Sequence, residues 1–488
     1  MSKRTNRIDL AELAAQVLLE RGLEPEFTPE ALNQVARLQE PAKPKPEETV
    51  RDLRSLLWAS IDNDNSRDLD QLTVADDLGK GATRVLVAIA DVDAMVKQNS
   101  PVDVHARKNT TSIYTAARVF PMLPERLSTD LSSLNPDQER LAVVIAYTVD
   151  SEGVTSDPEI YRALVHSKAK LAYNSVGAWL NGEEPMPAAM QAVEGLADQM
   201  RLQDAAAQRL CIQRHRHGAL VLDSIETRAI MEDGEVLDIE RESKNRAHEI
   251  IEDFMIAANG VVARFLDHHG SPSFRRVVRS PERWDRIESL AADYGEELPP
   301  DPDPVALQRF LLKMRKADPV RFPDLSLTII KLLGRGEYAV HEPNQDADGH
   351  FGLAVRDYSH STAPNRRYPD VITQRLLKAV LGGRTIAYGP VELAELAQHC
   401  TAQEDAAKKA ERQIAKSAAA MLLAHRIGQT FDGIITGAKP KGVWARIFHP
   451  PVEGRVVEGE AGLDVGDRVR VRLVDTDVHR GYIDFAIQ

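Results

Sequence analysis

Only two cysteines, Cys211 and Cys400, occur in this chain of 488 residues. Their wide separation argues against a disulfide framework, and two thiols are too few for a cysteine-ligated metal centre. Long apolar runs are missing too. No stretch of about 18 uncharged apolar residues occurs, so no membrane-spanning helix is expected. The opening Met1-Ser2-Lys3-Arg4-Thr5-Asn6-Arg7 leads into a stretch broken by Asp9 and Glu12. It has neither the apolar core nor the small-residue cleavage site of a secretory signal, so a cytoplasmic location is expected. Positive charge is in deficit: 61 Lys and Arg face 74 Asp and Glu, a net charge of −13. Phosphate contacts need Lys and Arg, and nucleic-acid-binding domains are usually basic. The balance lowers that class without excluding it, because a site that gathers carboxylates around cations needs only a local basic path.

The remaining composition, 43% hydrophobic and 28% charged, is that of a globular protein, and the length suits two or three domains. Residues 8–39 read as two short helices. Leu10, Leu13, Ala14 and Val17 recur at helical spacing, Gly22 stands where a C-terminal glycine cap belongs, and Thr28-Pro29 opens the second helix. Pro41, Pro44 and Pro46, interleaved with lysines, form a stiff linker. Residues 1–48 are either a small helical domain, of helix-turn-helix kind, or a helical arm packed on the main body.

Residues 49–428 show no comparable break. Apolar strands such as Val85–Ala90 and Leu141–Ala146 mix irregularly with helices, which reads as α+β rather than doubly wound α/β. An Ala-, Gln- and Lys-rich helix over roughly 391–427 closes the region. In 429–488, short apolar runs at 433–435, 443–445, 468–472 and 482–485 are separated by glycines, as in a small closed barrel of OB type. Arg468, Arg470 and Arg472 alternate and share one strand face, yet acidic residues slightly outnumber basic ones in the segment, so it is no basic patch.

The chemistry-bearing feature is Ser60-Ile61-Asp62-Asn63-Asp64-Asn65-Ser66-Arg67-Asp68-Leu69-Asp70-Gln71. Four aspartates crowd one loop with only Ile61 and Leu69 as apolar anchors. Such carboxylates repel one another unless a cation sits among them, and magnesium takes oxygen ligands of this kind. A solvated acidic loop and a calcium loop are the alternatives. The EF-hand pattern fails, having no glycine at its sixth position and no glutamate at its twelfth.

This loop resembles the signature of the RNB catalytic domain, found in the ribonuclease II/ribonuclease R family of 3′-to-5′ exoribonucleases. Val87–Asp93, Phe120–Leu134, Glu249–Asn259 and Ser361–Asp370 resemble further family blocks in the family's order. Met122-Leu123-Pro124-Glu125-Arg126-Leu127-Ser128 and Arg366-Arg367-Tyr368-Pro369-Asp370 are the most specific. The closing barrel resembles the family's RNA-binding domain, so the resemblance runs over roughly residues 50–488. It implies an RNB catalytic domain with a C-terminal OB-fold barrel, RNA as partner, and stepwise hydrolysis of single-stranded RNA with Mg2+ (Mn2+ also suits). No obligate protein partner is implied.

By the same resemblance Asp62, Asp68 and Asp70 hold metal, with Asp68 and Asp70 catalytic, and Gln71 stands where a fourth aspartate is usual. Asp64 is the residue placed to compensate. Arg366 corresponds to the arginine at the scissile phosphate, Tyr114 to a base-stacking tyrosine, and Glu411 to a glutamate near the terminal nucleotide. Arg367 is a further RNA contact. Two other functions compete: an RNA-binding protein on this fold whose catalysis was weakened, and a metal phosphoesterase acting on small nucleotides, which would have no use for the barrel.

Overall fold

The computed structural model describes residues 8–223, 226–232, 234–346, 348–384, 388–439 and 441–488. The first seven residues, where no secretory signal was expected, lie outside these. Among the described residues no helix is long and apolar enough to cross a membrane.

The frame is a seven-stranded sheet. Its strand order is Arg51–Asp52, Thr155–His166, Glu139–Val149, Ala82–Ala90, Gln71–Gly79, Ala59–Asp62, Ala169–Ala172. The two outermost pairings are parallel and those between them antiparallel. Val85–Ala90 and Leu141–Val149 are buried along their whole length, which is why their sequences run apolar without alternation. Helix Arg246–His268 contributes Ile250, Phe254, Ala258 and Val261 to the same core, and helix Tyr368–Leu381 contributes Val371, Ile372 and Leu376. Strands and helices are thus mixed without a repeating order, as the α+β expectation had it.

The helix expected near 391–427 is Pro390–Leu423, 34 residues long and so about 50 Å from end to end. Its first half (Leu393, Leu396, Cys400) enters the main core. Its second half (Ala407, Ala410, Ile414, Ala418) enters a second core shared with the C-terminal barrel and with Leu10, Leu13, Ala14 and Val17. Those four residues lie on helix Leu10–Glu20, which Asp9 caps by accepting from Ala11 N and Glu12 N; Gly22 follows at φ +76°. The next helix, Pro29–Ala36, has Thr28 as its N-cap and places Ala31 and Val35 in the main core. Both N-terminal helices are therefore built into the body, because their apolar stripes have no partner in each other.

The barrel is closed, with strand order Thr430–Lys439, Gly442–Ile447, Glu453–Glu458, Tyr482–Ile487, Arg468–Asp477. Gly454 sits where a Cβ would lie 2.7 Å from Ile483 O, so the approach of the two strands requires glycine. Two elements escaped the sequence reading. One is the hairpin Glu226–Glu232/Glu235–Glu242, whose Val236 and Ile239 join the second core. The other is a unit of three helices, Trp284–Asp293, Pro304–Ala317 and Phe322–Leu333, with its own core.

An ionic network is buried where helix Tyr368–Leu381 meets the sheet. Arg375 donates to Asp93 at 2.9 Å and to Asp103 at 2.7 Å, and Lys378 donates to Asp91 at 2.7 Å. Burial alone would raise the Asp93 carboxyl, but Lys378 and Arg375 hold it at about 2, against an ordinary 3.8. A carboxyl whose folded value is depressed contributes stability above its unfolded value, and that contribution is lost as pH falls through the folded value. The melting temperature is accordingly expected to drop between about pH 4 and pH 2. Asp93→Asn should be less stable at pH 7 and show a flatter decline over that interval in calorimetric scans. An equally steep decline in Asp93→Asn would locate the acid lability elsewhere.

Candidate active site

Strand Ala59–Asp62 ends on Asp62, and strand Gln71–Gly79 begins immediately after Asp70. The aspartate segment is therefore the connection between two neighbouring strands, and its two end carboxylates are carried by the sheet. Ala90 N donates to Asp70 O at 3.0 Å, fixing that backbone from the next strand. The loop between is pinned by elements distant in sequence. Lys170 Nζ donates to Asp64 O at 2.9 Å and to Ser66 O at 2.6 Å. Leu69 N donates to Ser133 Oγ at 3.0 Å, Ser133 Oγ to Arg67 O at 2.9 Å, and Leu134 N to Leu69 O at 2.9 Å. The block running from Phe120 to Leu134 thus has a mechanical role: it backs the aspartate loop.

Asp70 is fully enclosed. Its Oδ1 accepts from Asn365 N and its Oδ2 from Arg366 Nε, each at 2.8 Å. The segment 361–370 is brought here by Asn259, whose Oδ1 accepts from Ser361 N at 2.9 Å and Ser361 Oγ at 2.7 Å. Ser112 N donates to Arg366 O at 2.9 Å, which ties in the short strand Ile113–Tyr114. Tyr114 OH then donates to Asp68 Oδ2 at 3.0 Å, and Tyr114 N donates to Glu411 Oε1 at 2.8 Å. Tyr114 is 45% exposed and Arg366 is half-exposed, so both are open to solvent beside the enclosed Asp70. Asp62, Asp68, Asp70, Tyr114, Arg366 and Glu411, scattered over 350 positions of chain, are joined in one place.

Burial, opposed by Arg366 and reinforced by Asp70 and Asp68, pushes the Asp62 carboxyl up to about 7. Burial, again opposed by Arg366 and reinforced by Asp68, pushes Asp70 up to about 6. Burial works against the Arg366 charge as well, but Asp70, Tyr114 and Asp68 outweigh it and raise its pKa. Glu411 is raised by burial. These shifts describe acidic groups withdrawn from water with too little positive charge among them.

A cation would meet that need, and one atom favours it directly: Asp62 Oδ2 is buried without any hydrogen-bond partner. The donor set is all oxygen, as hard divalent cations require. Among the described residues, however, no three His, Cys, Asp or Glu side chains stand together as a metal-binding group. The reason is visible in the hydrogen bonds, since Asp70 is turned to Arg366 and Asp68 to Tyr114. Gln71 is 2% exposed, at the start of its strand opposite Ile89. Asp64 is an exposed loop residue. Arg367 does not face the aspartates; its Nη2 donates to Asp370 Oδ1 at 2.8 Å.

Lys170, Ser133 and Asn365 were not singled out from sequence. Asn365 and Ser133 lie within segments that resemble family blocks, but their residue types alone point to no role. Lys170 gave no signal, because a lysine in a short strand ordinarily points to solvent.

Residues 50–383 match the RNB domain family, and residues 429–488 match the RNase II-type exonuclease C-terminal S1 domain. The chain belongs to the RNB family. Ribonuclease R of Aquifex aeolicus is 32% identical, over 91% of this chain and 66% of its own length. Ribonuclease R of Escherichia coli is 30% identical over 97% of this chain and 62% of its own, and ribonuclease R 1 of Lactococcus lactis is 30% identical over 96% and 60%. The chain thus spans about 60% of the length of the curated relatives it matches.

Among solved structures, Mycoplasma genitalium RNase R in complex with ribose methylated single-stranded RNA has the same fold. Its TM-score is 0.88 at 23% identity, covering 99% of this chain and 79% of that one. Yeast Ssd1, a pseudonuclease, shares the fold with a TM-score of 0.72 at 17% identity, covering 91% of this chain and 55% of its own.

Lys170→Met removes the charged donor from two loop carbonyls, a loss of about 1.5–3 kcal/mol. Amide exchange over residues 63–69 is expected to accelerate at least about tenfold, with sheet amides unchanged, in hydrogen-exchange mass spectrometry. Unchanged exchange would mean that the loop is held without Lys170.

Proposed function

We propose that this protein is a metal-dependent 3′-to-5′ exoribonuclease that shortens single-stranded RNA stepwise and releases nucleoside 5′-monophosphates. The observation that carries the reading is the convergence of Asp62, Asp68 and Asp70 with the half-exposed Arg366 and the exposed Tyr114 ring. Membership of the RNB family and relatives named ribonuclease R support it. Asp62, Asp68 and Asp70 are the residues that would hold Mg2+ or Mn2+. When bound, such a cation supplies charge neutralisation at the phosphate and a more acidic water.

The chain's own residues do the rest. Arg366 gives Nε to Asp70, and among the described residues its Nη groups have no partner. They are free to donate to a non-bridging phosphate oxygen, where negative charge develops as the in-line displacement proceeds. Tyr114 offers a stacking face worth about 1–3 kcal/mol per base, with no preference among bases. Asp68 and Glu411 anchor that tyrosine by its hydroxyl and its backbone N–H. The bond from Tyr114 N to Glu411 supports a role for Glu411 beside a base stacked on that ring, where its carboxylate would accept from ribose hydroxyls. Arg367, expected above to contact RNA, is committed to Asp370 and serves to hold the turn that presents Arg366. The closed barrel suits a polymeric substrate, which disfavours small nucleotides. Two unpaired cysteines fit a reducing, cytoplasmic setting.

A second reading, RNA binding without cleavage, is favoured by Gln71, an uncharged side chain adjacent to Asp70. A 5′-labelled oligoribonucleotide incubated with Mg2+ separates the two. Progressive shortening from the 3′ end, with mononucleotide product, is expected; intact RNA with binding retained would overturn the nuclease reading.

Asp70→Asn is expected to abolish cleavage and leave RNA affinity within about twofold, because RNA is gripped mainly by stacking and backbone contacts. Equal loss of cleavage and affinity would make Asp70 structural. Gln71→Asp adds a carboxylate beside Asp70 and is expected to tighten Mn2+ binding about tenfold or more in calorimetry. No change there would mean that position 71 does not reach the cation.

A further inference from the structure

At the end of the sheet opposite Asp70 lies a cavity of about 330 Å³. Asp70 is bonded to Ala90, which pairs with Ala142, whereas the cavity adjoins the turn after Val149 on that same strand. Seven strand residues separate the two places, about 23 Å. The walls are the end of helix Leu196–Arg216, the middle of helix Arg246–His268, the turn at Gly153 and the segment 355–357. Two glycines let these walls close up. A Cβ at Gly153 would lie 2.2 Å from Arg209 O, and one at Gly260 would lie 3.1 Å from Arg264 Nη1.

The cavity has an apolar side, formed by Val154, Leu210, Ile256, Ala257 and Val355, and a polar side with three arginines and two aspartates, Asp253 and Asp357. The arginines differ in how they are compensated. Arg214 is paired with the buried Asp253. Arg356 pairs at 2.7 Å with Asp346, whose side chain is fully exposed, so that pair contributes little. Arg264 has no ion pair among the described residues, only a 3.5 Å contact from Nη2 to Thr155 Oγ1. Asp357, whose charge acts on it, is committed to Arg275 at 2.9 Å. Arg264 is exposed, and partial burial of its side chain lowers its pKa, with Asp357 only partly opposing. On the wall of this cavity, and without an ion pair of its own, it is available to an anionic group.

We propose that this cavity binds a small organic phosphate of mononucleotide size, with the phosphate on Arg264 and Arg356 and the organic body against Ala257, Ile256 and Val355. The volume lies within the range of small-molecule sites, roughly 300–1,000 Å³. A bare phosphate would leave the apolar side unfilled, and a nucleoside would make no use of Arg264 and Arg356, so a ligand with both halves uses the cavity most fully. The segment that lines the cavity runs on directly to Ser361 and Arg366. Helix Arg246–His268 holds that segment through Asn259, so the cavity and the aspartate site share supports without sharing a ligand position.

The test is isothermal titration of AMP into the wild-type protein, Arg264→Ala, Arg264→Lys and Arg366→Ala, with adenosine and inorganic phosphate as further titrants. AMP is expected still to bind in Arg366→Ala, where the aspartate site has lost its phosphate donor, and to weaken at least about tenfold in Arg264→Ala. Arg264→Lys keeps the charge and should retain most of the affinity, which guards against a folding defect. Adenosine and phosphate are each expected to bind at least about tenfold more weakly than AMP. AMP binding that is lost in Arg366→Ala but kept in Arg264→Ala would place the ligand at the aspartate site and overturn the proposal. So would the absence of AMP binding, or phosphate binding as tightly as AMP.

Discussion

The carboxylate of Asp70 is the group around which this protein is arranged. Withdrawn from water, it needs both hydrogen-bond donors and opposite charge. It receives them from Asn365 N and Arg366 Nε, residues nearly 300 positions away. Meeting that demand brings the 361–370 segment against the start of a central strand. The same segment carries Ser112 and Tyr114 with it through Arg366 O, and Tyr114 in turn engages Asp68 and Glu411. Asp62 is treated differently. One of its oxygens is buried without a partner, and its carboxyl is the most strongly shifted of the loop aspartates for which a shift is resolved. The site is thus half neutralised by protein and half left for something from outside.

Rigidity comes from behind. Helix Tyr368–Leu381 starts one residue after Arg367, and its Arg375 and Lys378 are bonded to Asp91, Asp93 and Asp103. Gln374 also clasps Ala90 O and Asp93 N, and Ala90 is the residue that holds the Asp70 backbone. One helix therefore fixes both sides of the Asp70–Arg366 pair. Removing a member of such a network leaves a buried charge without its partner, so its cost is far above that of a surface ion pair.

Charge distribution resolves the tension between an acidic chain and the anionic substrate proposed for it. The deficit of positive charge belongs to the chain as a whole, whereas in the site Arg366 pairs with Asp70 and Lys170 holds the backbone carbonyls of Asp64 and Ser66. Long-range attraction is weak in such a protein, and on the proposed function affinity would come from contact: stacking on Tyr114, donors from Arg366, and a barrel that holds the strand. The cavity at Arg264 lies at the other end of the sheet, where an exposed arginine has no ion pair among the described residues.

Local order was open to reading from the chain alone. The helix at Leu10–Glu20, the cap at Thr28, the strands through Val85–Ala90 and Leu141–Ala146, the long helix and the five barrel strands all follow from short-range periodicity and turn residues. The aspartate loop was visible for a similar reason, since four carboxylates within nine positions announce themselves without any fold. Family resemblance added Tyr114, Arg366 and Glu411, whose isolated residue types carry no such signal. Tertiary structure decided what these residues face. It turned Arg367 away to Asp370, made Lys170 a clamp, gave the Phe120–Leu134 block its backing role, and drew the N-terminal helices into two different cores. Periodicity and propensity act over a few residues. The direction of a buried charge is settled by whichever partner the rest of the chain brings within about 3 Å, and for Asp70 that partner lies 296 residues further on.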